Sequence, residues 1–222
     1  MNVVETFLNY SIAVQSAPLL AQGLILTILL GLSSVVIAFI AGTILAMLRL
    51  YAPLQFRWAT IVYIDVFRAF PMLVLLIIVY YALPFVGIRL SPFMAATSAL
   101  SLIAAAYAAE TIRAGLEAVP RGQFEAAHAL GVSWWQTMID VVAPQALRLV
   151  VPPATGIAVS LIKDTALASV VAMPDLLKQA TQAQAYYANP TPLILAAGFY
   201  LVILLPLVQL VAHLERRSRA AR

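Results

Sequence analysis

Two adjacent residues of opposite charge, Lys163 and Asp164, stand about fifteen residues into an apolar run that begins after Arg148. An ionisable group near the centre of a bilayer costs about 2.5–3.5 kcal/mol on insertion scales, so each must find a partner. Successive helical residues point about 100° apart, so the two cannot simply face each other. They read either as halves of interhelical ion pairs that hold a bundle, or as a polar patch on a route through the membrane. Three further ionisable residues lie within apolar segments. Asp65 and Arg68, spaced i, i+3, are expected to pair near a helix end, with Arg57 close by. Glu110 reaches Arg113 at the same spacing and reads as structural.

A second constellation is the charged series Glu110, Arg113, Glu117, Arg121, Glu125 and His128. Its near-fourfold spacing places alternating signs along one helical face, and Glu117 precedes Arg121 in the favourable order for a helix pair. Pro120 and Gly122 break the stripe into two helical pieces. After Gly131 comes an amphipathic stretch, Val132 to Val142, in which Trp134, Trp135, Met138 and Ile139 form an apolar surface; Pro144 is expected to stop it. A short helix, a glycine turn and a second short helix make a compact knob. It reads either as an interfacial helix anchored on lipid headgroups by its tryptophans or as a docking element for a cytoplasmic partner.

The elements that must carry these residues follow from composition. The 222 residues are 64% apolar and only 10% charged, with a mean hydropathy of +0.98. Ordinary soluble domains are about 45–50% apolar and roughly 25% charged. This excess excludes a soluble enzyme, a disordered tail and a nucleic-acid-binding module, and indicates an all-α polytopic membrane protein. The formal charge of +4 does not suggest nucleic acid, because the basic residues sit at the ends of apolar runs and act as topology signals. Cysteine is absent, and the two histidines, His128 and His213, are far apart, so no metal centre and no cofactor are expected. The first apolar run is too long for a cleaved signal peptide and is expected to stay in the mature protein.

A single transmembrane domain over residues 1–222 is expected, with spans at about 19–48, 58–83, 91–112, 148–173 and 191–214 and a cytoplasmic loop at 113–147. The first run exceeds a hydrocarbon core of about 30 Å, so its helix must tilt, bend or protrude. An odd number of spans puts the termini on opposite sides. With the C-terminus inside, Arg49, Arg57, Arg113, Arg121, Arg148, Arg216, Arg217, Arg219 and Arg222 are cytoplasmic, and only Arg89 and Lys178 lie outside. Ala38, Gly42 and Ala46, with Ala104, Ala105, Ala108 and Ala109, form small-residue faces that pack helices closely within one subunit. No internal duplication is evident, which disfavours an inverted-repeat carrier complete in this chain.

Glu125-Ala126-Ala127, then Gly131, then Val141, Ala143 and Pro144, resembles the EAA loop of membrane subunits of ATP-binding-cassette importers. That pattern ends in Ile-x-Leu-Pro, from which Val141 and Ala143 are apolar departures. The stretch Ala106 to Gln123, the run Pro144-Gln145-Ala146-Leu147-Arg148 and Lys163-Asp164-Thr165 are similar to the polar amino acid (histidine/glutamine-type) permease branch, and the likeness extends over nearly the whole chain. The resemblance implies a multi-pass permease subunit of the bacterial inner membrane, with no catalytic residues of its own. Its coupling loop (Glu125, Ala126, Ala127, Gly131, Pro144) would seat on one of two cytoplasmic ATP-binding subunits. A second permease subunit, identical or related, would complete the pathway, and a periplasmic solute-binding protein would deliver the solute. On this view Lys163, Asp164, Thr165 and Arg68 border the route and match the zwitterionic head of an amino acid. Consistent with a separate motor, the chain has no GxxxxGK[ST] loop.

Phe67-Arg68-Ala69-Phe70-Pro71-Met72-Leu73-Val74-Leu75 is similar to the family's F-R-G-T-P-L-L-V-Q, with Phe70 for threonine and Leu75 for glutamine; Ala166 stands where serine is usual. These losses of polar groups fit a less polar or bulkier solute, or a subunit that leaves solute contact to its sister. Tyr80, Tyr81, Tyr186 and Tyr187 read as belt residues toward the outer face. The alternative function is an ion-coupled carrier using Glu110, Lys163 and Asp164 as a proton relay. An intramembrane hydrolase is disfavoured, since neither histidine lies at bilayer depth.

Overall fold

In lipid every backbone amide must be bonded within the chain, so uninterrupted apolar runs wind into helices. The computed structural model describes residues 3–220, with side chains from 5 to 216, and no strand occurs among them. The side chains of Arg217, Arg219 and Arg222, expected among the inner cations, lie outside the described residues. In chain order the elements begin with α1 (Val3–Phe7), α2 (Tyr10–Tyr51), α3 (Leu54–Ala69) and α4 (Met72–Ile77). A π turn, Ile78–Ala82, and a 3-10 turn, Leu83–Val86, extend α4. Next come α5 (Pro92–Glu117), α6 (Arg121–Ala129) and the short α7 (Trp134–Gln136), which runs through a second π turn, Thr137–Val142, into α8 (Ala143–Asp164). A 3-10 segment, Thr165–Val171, then α9 (Leu176–Tyr187) and α10 (Thr191–Ala220) complete the chain.

Four stretches are long and apolar enough to cross a membrane: Glu5–Tyr51, Pro92–Glu117, Trp134–Val171 and Thr191–Arg216. The expected second span is a broken pair, Leu54–Ala69 with Met72–Val86, bent by 104°. Pro71 causes the break. It lacks an amide hydrogen, disfavours helical geometry at Phe70, and takes an extended ψ of 127° before α4 starts. The first helix is far longer than its expected span: 42 residues rise about 63 Å, twice a hydrocarbon core of about 30 Å.

The chain divides into two compact units that are interleaved along the sequence. The first comprises Met1–Val36, Phe70–Ser101 and Val159–Leu207. Its core gathers Leu20 of α2, Leu176, Ala180 and Ala183 of α9, and Ala196 of α10. The period of three to four along α9 gives that helix an apolar face despite its polar composition. Close approach is set by Gly23, where an added Cβ would lie 2.8 Å from the Asp175 carbonyl oxygen. Two alanines, Ala172 (φ 58°) and Ala188 (φ 46°), flank α9 in the left-handed region, at about 1–2 kcal/mol each.

The second unit comprises Ile37–Ala69, Leu102–Ala158 and Val208–Arg222. Here the small-residue faces pack within the chain, as expected. Ala38, Ala46, Ala104, Ala105, Ala108 and Ala109 are buried, and a Cβ on Gly42 would sit 2.6 Å from that of Ala108. Removing bulk from both helices lets their backbones meet, which is how dispersion holds helices together in lipid. The Tyr63 hydroxyl donates to the Leu102 carbonyl at 2.8 Å, adding a bond between α3 and α5.

Candidate coupling and pathway residues

Four charged residues of the second unit satisfy one another. Arg49, at the end of α2, pairs with Glu110 of α5, and Glu110 also accepts from Arg113 Nη2 at 2.7 Å and Nε at 3.1 Å. Arg113 in turn pairs with Glu117. The i, i+3 spacing foretold the Glu110–Arg113 pair, whereas Arg49 lies 61 residues away and carried no local signal. The stripe breaks at Pro120 as its residues indicate: α5 ends at Glu117 and Pro120 precedes α6, so the favourable order of Glu117 and Arg121 forms no ion pair and Arg113 takes the carboxylate. The expected Asp65–Arg68 pair is also absent, both side chains being exposed. Arg68 instead lies over the Tyr107 ring, 5.5 Å from its centroid, and the Tyr107 hydroxyl donates to the Arg68 carbonyl at 3.1 Å.

The knob is built as its residue types require. α6 closes on a left-handed Gly131 (φ 73°), with Gly131 N–H donating to the His128 carbonyl at 3.0 Å and Val132 N–H to that of Ala127 at 3.1 Å. This paired closure favours glycine at the left-handed position. Ser133 then caps α7 in a reciprocal box with Gln136. Val119, Met138, Val142 and Ala146 form the base beneath, joined by Met47, Leu116 and Phe124. Ala127 is buried, while Glu125, Ala126, His128 and Ala129 are exposed and Leu130 at the tip is 82% exposed. Close packing therefore uses only the second alanine of the pair.

Pro144 does not stop the helix. The preceding segment is a π turn, so Pro144 falls in the first turn of α8, where its missing amide hydrogen is tolerated and winding continues without a break; the Gln145 side-chain amide donates to the Val141 carbonyl at 2.8 Å. Trp134 packs edge-on against Tyr51 at 5.3 Å and against Trp135 at 4.7 Å, while Trp135 and Ile139 remain exposed.

Lys163 and Asp164 end α8 in the first unit, where α winding gives way to the 3-10 segment. Lys163 is exposed and Asp164 half-buried, and neither makes an ion pair or hydrogen bond among the described residues. Thr165, by contrast, is fully buried and its hydroxyl donates to the Ile162 carbonyl at 2.6 Å. It is occupied by its own helix. Tyr81, on the π turn after α4, donates to the Val170 carbonyl at 3.2 Å and ties that turn to the 3-10 segment. Arg68 belongs to the other unit and keeps a protein partner. Sequence reasoning passed over α9 altogether, although Asp175 as an N-cap before Leu176, Ala180 and Ala183 is a readable helix signal.

Residues 38–220 match the family described as binding-protein-dependent transport system inner membrane component. The chain belongs to this family. The permease is 35% identical over 215 residues to the arginine transport system permease protein ArtQ of Bacillus subtilis, covering 96% of this chain and 98% of the relative. It is 36% identical over 219 residues to the glutamate/aspartate import permease protein GltK of Escherichia coli O157:H7, covering 95% and 98%. Among solved structures, a crystal structure of an amino acid ABC transporter with histidines matches with a TM-score of 0.85 at 34% identity, covering 95% of the permease and 99% of that chain. The permease is thus a membrane subunit of an ABC transport system, and the family favours ATP-driven transport over the ion-coupled carrier.

Proposed function

We propose that the permease forms, with a second identical or related subunit, the inner-membrane pathway for an amino acid or a related small polar solute. Two cytoplasmic ATP-binding subunits drive the cycle and a periplasmic binding protein delivers the solute. The N-terminus faces the periplasm and the C-terminus the cytoplasm, in keeping with the excess of arginine beside the inner ends of the spans. Hydrolysis is left to the motor subunits, and the chain itself catalyses nothing. The substrates named for the relatives, arginine, glutamate and aspartate among them, support the class without choosing a member of it.

The observation that carries this reading is the knob. Its turn is rigid through backbone bonds at Gly131 and a capping box at Ser133, its inner face is packed, and its outer face offers Glu125, Ala126, His128 and Leu130 to a partner. A closing motor that grips such a knob moves it as a rigid body and tips α5 and α8. Lys163 and Asp164, each lacking a protein partner, suit the ammonium and carboxylate of a passing amino acid, and the departures at Phe70, Leu75 and Ala166 suit a less polar side chain on it.

Liposomes containing the assembled importer test this directly. Uptake is expected to need internal ATP and to survive a proton uncoupler. Glu125→Lys or Gly131→Arg is expected to leave the spans inserted while separating ATP hydrolysis from uptake. Normal uptake by either purified variant, with the motor still bound, would remove the docking role of the knob.

A further inference from the structure

At the foot of the knob a cleft of about 470 Å³ opens where three helix termini meet. Leu50 and Tyr51 line it from the end of α2, Leu116 and Glu117 from the end of α5, and Arg121 and Phe124 from the start of α6. Val119, in the link between α5 and α6, completes the lining. The whole cleft belongs to the second unit, whereas Lys163 and Asp164 belong to the first. Its size falls within the range of about 300–1,000 Å³ that holds small molecules.

The lining is sorted by chemistry. Val119 is buried and Leu50, Leu116 and Phe124 are half-buried, which gives an apolar floor. Tyr51, Glu117 and Arg121 are exposed and form a polar rim. On a continuous helix Glu117 and Arg121 would pair across one turn. Pro120 interrupts the winding, so both charges line the cleft without closing on each other. Arg121 makes no hydrogen bond or ion pair among the described residues. Glu117 gives Oε2 to Arg113 and keeps Oε1 for another donor. The Tyr51 hydroxyl donates weakly to Met138 Sδ at 3.8 Å, so its oxygen can still accept.

A ligand that satisfies this lining carries an anion for Arg121, a cation for Glu117 and Tyr51, and an apolar group for the floor. Inorganic phosphate would meet the Glu117 carboxylate, and a purely apolar molecule would leave both charges unused. An α-amino acid with an apolar side chain holds all three groups on one carbon. We propose that the cleft binds such an amino acid, its carboxylate on Arg121, its ammonium between Glu117 and Tyr51, and its side chain over Leu116, Val119 and Phe124. The bound molecule then ties the ends of α2 and α5 to the first turn of the knob. This site is separate from the solute route and stands on the cleft's own lining.

The assembled importer in nanodiscs, without ATP or binding protein, tests it by titration with L-leucine under saturation-transfer NMR. Lys163→Met and Asp164→Asn are carried throughout, so that ligand on the solute route does not mask the cleft. Arg121→Ala is expected to weaken L-leucine binding about tenfold, and Arg121→Lys, which keeps the charge, far less. 4-Methylpentanoate, which lacks the ammonium, and 3-methylbutylamine, which lacks the carboxylate, are each expected to bind about tenfold more weakly than L-leucine. L-Leucine is also expected to slow hydrogen–deuterium exchange in residues 119–124, and to lose this effect in Arg121→Ala. Binding indifferent to Arg121→Ala, or equal binding of either analogue, overturns the site. Absence of L-leucine binding overturns it too and leaves the cleft to a side chain of the motor. Since no transport enters the measurement, its failure leaves the proposed import function standing, and failed import leaves the cleft.

Discussion

The permease treats its charges in two contrasting ways. Arg49, Glu110, Arg113 and Glu117 form a closed chain of pairs in which Glu110 serves two guanidinium groups. Lys163 and Asp164, with equal formal charge between them, find no protein partner among the described residues. Paired charges of this kind hold helix ends together: the carboxylate of α5 ties α2 to the start of the knob's own chain segment. Under the proposed function the unpaired two border the solute route, so among these six residues ion pairing, more than the presence of charge, is the feature that distinguishes them.

Several substitutions break or sharpen this contrast. Glu110→Ala leaves Arg49 and Arg113 facing each other without their carboxylate, and a loss of about 3 kcal/mol is expected. Thermal unfolding of the assembled complex should show it as the largest drop in Tm of the set. Gly42→Leu drives a side chain into Ala108 and is expected to cost about 2 kcal/mol by overpacking, seen in the same assay. Gly131→Ala strains the left-handed turn at about 1 kcal/mol, with local exchange rising in residues 121–133 ahead of any global change. Lys163→Met and Asp164→Asn are expected to move stability by less than about 0.5 kcal/mol while cutting uptake at least tenfold. A large fall in Tm for this last pair, with uptake per folded complex unchanged, would return both residues to the scaffold.

Much of this was readable in advance where the physics is local. Apolar runs pointed to four or five membrane-crossing stretches, the i, i+3 spacing found Glu110 with Arg113, and the Gly131 turn followed from residue type. What escaped depended on context. The apolar run resumes directly after Pro71, so Arg57 to Arg89 read as one block and the 104° bend at the proline was passed over. The Pro144 stop failed because the π turn ends just before it and places the proline in the first turn of α8, where a missing amide hydrogen is tolerated. Arg49 reached Glu110 only through tertiary structure. α9 was overlooked because its glutamines, threonine and lysine dilute an apolar face that only four positions define.

The π turn at Thr137–Val142 also bears on how this chain tolerates length changes. Such a turn holds one more residue than ordinary winding, just where α7 hands over to α8. Losing one residue there would tighten the coil, while losing one anywhere inside α8 would rotate everything beyond it by about 100°. The wide turn is therefore a slack link in the chain: a single-residue deletion at 137–142 should be absorbed far better than one at 155–160.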